Sequence, residues 1–380
     1  MIRQALASVA LTLALTLTLA TSAAAQPVSI FQDMVADTRF QSQAFKHRPF
    51  IPAANLDAVF FFKNNEYFAP EVEGYTLPGY LLRPTLTWGG DRLAFTGGLQ
   101  ALQYGGLDKM HYVRPFFAAR WQATDFLAVH MGCLPGPLSH FIHEAVTDPE
   151  LQLTEKPELG LQVAVRRPHL SVDAWVNWRE FIFIGDTIPE RFTAGIVADI
   201  RPSSHGSAAF NLPASLIFEH IGGQISDYEQ PMQSLANLTL SPTLSLMPDT
   251  GRFVKSVSLS AHLFAFHTMA GSKVRPFADG WALSPEVRLV AKHLEASASY
   301  FHGHDFFAMR GNPIFWSISN YDSAFYSANR DMVCLSASFV AQMASWGRFS
   351  LDVRAYDDVR DGRLDYSYGV TMVLTPSYGR

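Results

Sequence analysis

Cysteine is nearly absent. Cys133 and Cys334 are the only two in 380 residues and stand far apart, which excludes a disulfide framework and leaves two separate half-buried thiols as the expectation. Charge is also scarce, at 17% of residues with a formal net charge of −5, so there is no basic footprint for nucleic acid. After residue 25 no apolar run reaches the ~20 residues of a membrane helix. The chain has no phosphate loop, nucleotide fingerprint or calcium loop, so no cofactor is expected. Aromatics are abundant instead, at 13% with 29 Phe. Such a load asks for either a very large core or an aromatic outer surface.

Met1 to Ala25 reads as a cleavable secretory leader: Arg3 supplies the charged start, an apolar run follows from about Ala5 to Ala20, and Ala23-Ala24-Ala25 suits signal peptidase. Removing Arg3 with it leaves 28 Lys+Arg against 34 Asp+Glu. Residues 26–56 show no clean period and read as a periplasmic lead-in, too short to be a folded plug domain. Residues 57–380 read as one domain.

Alternation dominates the rest. In 80–103, Leu82, Pro84, Leu86 and Trp88 oppose Arg83, Thr85 and Thr87, and Leu93, Phe95 and Leu99 oppose Ala94, Thr96 and Gln100, across a Gly89-Gly90-Asp91 turn. The segments 170–179, 235–246 and 348–357 repeat the pattern. About sixteen strands are expected, near 57–64, 78–88, 92–103, 111–121, 126–133, 159–166, 169–179, 191–201, 209–220, 235–246, 255–267, 282–292, 294–302, 331–342, 348–357 and 366–375. Their connections alternate short and long, as in an all-β transmembrane antiparallel up-and-down barrel with tight periplasmic turns and long outer loops. A range of 14–18 strands fits the pattern, and a secreted β-sandwich or propeller is the runner-up. An Arg on the lipid side at mid-bilayer costs ~2–4 kcal/mol, so the polar faces belong inside. Trp88, Trp121, Trp178, Phe192 and Phe349 fall near strand ends, where an interfacial girdle belongs. Pro84, Pro213, Pro242 and Pro285 sit uneasily in closed ladders and suggest bulges or a shifted register.

The ordered motifs NNEYF at Asn64 to Phe68 with the EGYTLPGY stretch, GPLSHFIHEAVTDPE at Gly136 to Glu150, WVNW at Trp175 to Trp178 and GNPIFWS at Gly311 to Ser317 resemble a group of uncharacterised porin-like outer-membrane β-barrel proteins of Bacteroidota. The resemblance spans most of the mature chain. It implies an outer-membrane barrel and supplies no reaction, substrate or catalytic residue. The chain departs from the usual aromatic C-terminus, running on to Ser377-Tyr378-Gly379-Arg380.

Few residues suggest chemistry. His140, His143 and Glu144 form H-x-x-H-E in a long loop; this order matches neither zinc-protease pattern, so a loop packed across the barrel mouth competes with a metal site. His302, His304 and Asp305 form H-G-H-D at a strand end, with a solvated loop edge as the plainer reading. Trp316 lies in an aromatic loop, 304–330, that would either stack on sugars or hold itself folded over the barrel. A wall-borne hydrolase needs a convergent Ser and His, and Ser139-His140 is the one adjacent pair worth naming. No metal or catalytic site is therefore expected. Inward charges comprise Arg83, Arg114, Arg120, Arg166, Arg179, Arg288 and Arg354 against Asp173, Asp199, Glu219, Glu286, Glu295 and Asp352. They would either line an open lumen or pair and close it.

The expectation is a non-enzymatic outer-membrane channel for small hydrophilic solutes, with a non-conducting interaction or assembly barrel, or a surface enzyme, as the alternative. Its partners would be outer-membrane lipid, the barrel-assembly machinery and small hydrophilic solutes, with no nucleic acid.

Overall fold

Alternating segments become strands wherever one face can be buried against lipid and the other against the barrel contents. The computed structural model describes residues 52–378 apart from 91, 206, 224, 230, 248–252 and 272–273. The leader, most of the lead-in, and Asp91 of the first turn lie outside the described residues. The first strands are β1 (Ala53–Glu66), β2 (Tyr75–Gly89), β3 (Leu93–Tyr104), β4 (Tyr112–Thr124), β5 (Leu127–Cys133), β6 (Leu159–Arg167), β7 (Leu170–Glu180), β8 (Glu190–His205) and β9 (Ala208–Gly222). There follow β10 (Gln233–Leu240), β11 (Thr243–Leu246), β12 (Val254–Gly271), β13 (Asp279–Ala291), β14 (Leu294–His304), β15 (Asn329–Ala344), β16 (Gly347–Asp358), β17 (Arg363–Leu374) and β18 (Ser377–Tyr378).

Each strand pairs antiparallel with its neighbours, and β1 pairs with both β2 and β17. β10 and β11 are one stave, because both hold the same register against β9 and β12 across Ser241 and Pro242. β18 prolongs β17 along β1. The result is a closed barrel of sixteen staves with no free edge. Short turns gather at one end and long loops at the other. Of the four prolines named above, Pro242 falls at a break between strands, and Pro213 lies beside the register shift between Ile200 and Ser203, which contains Pro202. Other bulges fall away from proline, at Gln122/Thr124, Trp178/Glu180 and Gln342/Ala344, and the expectation of proline-linked bulges is corrected at Pro84 and Pro285, where the register runs on unchanged. A proline at a position that donates no ladder bond lets the ladder pass without a shift, as at Pro84 and Pro285.

The outer surface is apolar: Leu86, Phe117, Met131, Leu238 and Val353 are all exposed, while Thr87, Phe116, Thr239 and Asp352 between them are buried. Trp88 stacks on Phe95 toward the short-turn end, and Trp178 stacks on Phe192 at the other, ring centroids 6.3 and 5.0 Å apart. These rings mark the interfacial levels.

The long loops 134–158 and 305–328 do not project outward; they fold into the barrel. One apolar cluster joins Leu134, Ile142, Val146, Phe306, Phe307 and Ile314 to the inward Trp175, Ile217, Phe264, Phe301, Met332 and Tyr356. A second joins Leu138 and Leu153 to Val59, Phe61, Leu81, Leu102 and Val373. Fully burying a Phe contributes ~1.5–3 kcal/mol, so Phe301, Phe306 and Phe315 together offset the ordering of several loop residues. Cys133 and Cys334 are separate, buried and free.

Val353 sits at the middle of β16 facing lipid. Val353→Arg should lower stability by ~2–4 kcal/mol in a urea titration in lipid vesicles. A change under ~0.5 kcal/mol would contradict the assigned face.

Candidate functional site

The plug is built around Gly136, whose φ of +103 is open chiefly to glycine and where a Cβ would meet the Gln152 amide oxygen at 2.5 Å. A single 3-10 turn, Pro137–His140, follows. Ser139 Oγ donates to the Gly136 carbonyl at 2.7 Å. His140 Nδ1 lies 2.7 Å from Asp173 and its Nε2 3.2 Å from Glu158, with the ring stacked on Trp175 at 3.5 Å. Both ring nitrogens are thus held by carboxylates. Burial alone would lower the pKa of His140, but Asp173 and Glu158 raise it to about 9. Such an imidazolium is a strut and cannot serve as a base for Ser139.

His143 points away from His140. Its ring centroid lies 4.7 Å from that of His262 and 5.0 Å from that of Phe264, and burial, then the neighbouring His262, hold its pKa well below the usual range. Glu144 pairs with Arg354, and Tyr356 Oη approaches it at 3.4 Å. The two histidines of H-x-x-H-E therefore contact different parts of the wall. They do not converge on a common site.

Further along the same loop, Lys63 meets Glu150 at 2.7 Å, and Asn65 and Tyr75 donate to the same carboxylate. Burial opposes the ionisation of Glu150, but Lys63, Tyr75 and Asn65 together more than offset it and leave the pKa lowered, whereas burial and the nearby Glu150 push Asp148 up to about 7. The plug loops are also stitched together. Asp148 N donates to Arg310 O at 2.6 Å, Asn312 N to Glu144 O at 3.0 Å, and Arg310 grips Glu155 bidentately at 3.0 and 2.7 Å. Trp316 packs on Phe307 at 4.6 Å.

The thirteen charges expected to face inward all do so, mostly in pairs. Asp173 holds His140, Arg179 holds Glu155, and Arg201 holds Asp199. Glu219 takes Thr193 at 2.7 Å and lies 3.6 Å from Arg310. Arg288 binds Glu286 at 3.0 Å and Glu295 at 2.6 Å. Arg120 donates to Gln122, Arg166 to the Val165 and Val172 carbonyls, and Arg83 lies 4.9 Å over the Phe116 ring. Arg114 and Asp352 complete the inward set, and Arg354 joins Glu144 of the plug.

Two polar groups sit on the lipid-facing side near the long-loop end. One contains Asn64, Glu66, Thr76 and Tyr368, with Asn64 donating to Glu66 at 2.6 Å and Thr76 to Asn64 at 2.5 Å. The other contains a cross-strand pair: His302 on β14 is directly opposite Asp331 on β15, with Nδ1 2.6 Å from Oδ1. Tyr300 Oη donates to the same carboxylate at 2.8 Å and Arg360 Nε to its other oxygen. His304 contacts Asn329 at 2.9 Å, and Trp281 packs edge-on to His302 at 5.3 Å. Sequence reading found His302 and His304 but missed Asp331, Tyr300 and Arg360. The signal was register, which sets residue 302 opposite residue 331.

A family model described as lipid A 3'-O-deacylase-type matches residues 53–379. The chain belongs to this family. Membership corrects the expectation of a non-enzymatic protein, since the family is named for an enzyme; the outer-membrane barrel that the resemblance implied holds, while the family's description carries no link to Bacteroidota. A search of curated proteins finds no match. Among solved structures, OprD of Pseudomonas aeruginosa superposes with TM-score 0.53 at 10% identity, covering 88% of this chain and 97% of that one. OpdK of Pseudomonas aeruginosa with vanillate and OccAB2 of Acinetobacter baumannii each give TM-score 0.51, at 9% and 10% identity, covering 87% of this chain and all of theirs. At such identity the likeness extends to the outer-membrane barrel fold alone.

Two predictions concern the plug. The His140 pKa is raised from 6.5 to about 9, so its stabilising contribution is fully present below pH ~6.5 and is lost as pH rises through 9. Wild-type protein in detergent should lose up to ~3 kcal/mol between these limits, measured against His140→Gln, which lacks this dependence. Identical pH profiles would contradict the charged strut. Deleting residues 137–150 should raise single-channel conductance in planar bilayers above that of the wild type, and an unchanged value would show that this loop does not obstruct the lumen.

Proposed function

We propose that this chain is an outer-membrane hydrolase that removes an ester-linked acyl chain from a glycolipid in the outer leaflet, with its long loops outward. The observation that carries the reading is the His302–Asp331 pair on the lipid-facing wall, 2.6 Å apart. Family membership supports the reaction class. Asp331 orients the imidazole through Nδ1, and among the described residues no hydrogen bond engages Nε2. Tyr300 and Arg360 fix the carboxylate in turn. In this reading Nε2 accepts a proton from water, the oxygen attacks the ester carbonyl, and the C–O bond to the sugar breaks as the proton passes to the leaving alkoxide. A fatty acid and a glycolipid hydroxyl are the products. Trp281 supplies an apolar body with a polar edge at the interface, where an acylated sugar lies.

Conduction has less support. Both plug loops are packed into the lumen, and the porin likeness concerns fold alone.

The test is fatty acid release from vesicles containing lipid A, measured by mass spectrometry. Wild-type protein should release ester-linked acyl chains, and His302→Asn or Asp331→Asn should slow release by about 100-fold or more, the scale of a lost general base. Absence of release by folded wild-type protein, or full activity in both variants, would sink the assignment.

A further inference from the structure

The break between β10 and β11 falls at Ser241-Pro242. The unchanged register on both sides sets Ser241 opposite His262 on β12. Ser241 Oγ lies 2.8 Å from His262 Nδ1. Among the described residues His262 Nε2 has no hydrogen-bond partner, and it stands 3.8 Å from Glu286 Oε1 on β13. Arg288 holds that Glu286 oxygen at 3.0 Å. All three side chains are buried and point into the lumen, on the opposite side of the wall from the sense in which His302 points.

They line a cavity of about 180 Å³ beneath the plug tip, bounded also by His143, Arg354 and Tyr356. Asn211, Thr243 and Ser338 extend it toward the short-turn end. At ~30 Å³ per water this holds roughly six waters, room for an acetyl- to butyryl-sized group.

We propose that Ser241, His262 and Glu286 form a second, lumenal site of serine-nucleophile type that hydrolyses short-chain acyl esters reaching it from the short-turn side. His262 Nδ1 takes the Ser241 hydroxyl proton as Oγ bonds to the ester carbonyl carbon. The proton passes to the leaving alkoxide as its C–O bond breaks, which leaves an acyl-serine. Water then gives a proton to His262 while its oxygen attacks the acyl carbon, and Ser241 Oγ leaves with that proton. Glu286 stabilises the imidazolium by closing from 3.8 Å to hydrogen-bond range, as catalytic contacts commonly do in the loaded state. The ring presents Nδ1 to serine and Nε2 to the carboxylate, the reverse of the protease arrangement. A metal is not required by this donor set.

The two sites use different nucleophiles, so they fail separately: acyl release by His302 requires no serine. Full-length folded protein in detergent should react with diisopropyl fluorophosphate, and peptide mapping should place a single diisopropylphosphoryl group on Ser241. His262→Asn, which retains the serine, should slow that labelling by about 100-fold or more. The same variant should lose the diisopropyl fluorophosphate-sensitive part of p-nitrophenyl acetate hydrolysis. A folded wild-type protein without adduct on Ser241, or equal labelling rates in wild type and His262→Asn, would overturn the proposal. Heat-modifiable mobility in a denaturing gel verifies folding in each case.

Discussion

Nine cross-strand pairs, from Ala58 opposite Leu374 to Glu66 opposite Tyr366, close β1 onto β17, and thirteen more join its other edge to β2. Lipid offers no hydrogen bonds, so an unpaired edge in the bilayer would leave each backbone group several kcal/mol short. Closure is therefore the condition on which everything else rests. It also divides every strand into two environments with no intermediate choice, because side chains alternate across the wall at period two.

The inner environment has its own debt. Charges removed from bulk water need partners, or they shift their ionisation or draw in water. Here many partners come from the loops. Glu155 and Arg310 answer Arg179 and Glu219, Glu150 answers Lys63, Glu144 answers Arg354, and Glu71 and Asp358 answer Arg330. Aromatic packing draws the same loops inward, with Phe301 and Phe315 centroids 4.9 Å apart and Phe264 and Phe306 5.7 Å apart. Apolar burial supplies most of the energy and ion pairs supply registry, since a misplaced plug would strand charges of both signs. This division explains why so polar an interior need not be an open pore.

Much of this was legible in one sequence. Every expected strand has a counterpart, with boundaries off by a few residues, because alternation such as Phe349, Leu351 and Val353 against Ser350, Asp352 and Arg354 is local information. The largest shortfalls occur where alternation fades: β12 continues past His267 to Gly271, and β1 begins at Ala53. The choice between an open and a closed lumen was not legible, because Arg310 meets Glu155 across 155 positions in two irregular loops. The H-x-x-H-E spacing left a packed loop and a metal site as the alternatives; the segment makes only one 3-10 turn before Phe141 adopts left-handed backbone, and its two histidines meet different parts of the wall.

Alternation also decides what kind of chemistry each histidine can serve. His302 and His262 are both strand residues beside a carboxylate, yet parity aims one at lipid and the other at a hydroxyl-lined cavity. In the proposed hydrolase a lipid-facing imidazole meets amphiphiles that diffuse in two dimensions and carry their esters at the interfacial level. A lumenal imidazole meets only what enters the barrel and fits the cavity beneath His143. His140, inward like His262 but clasped at both nitrogens, is denied chemistry by its partners. What separates a strut from a base in this barrel is whether the second ring nitrogen has a carboxylate already in hydrogen-bond contact. That is a property of register and loop packing, which residue type alone does not reveal.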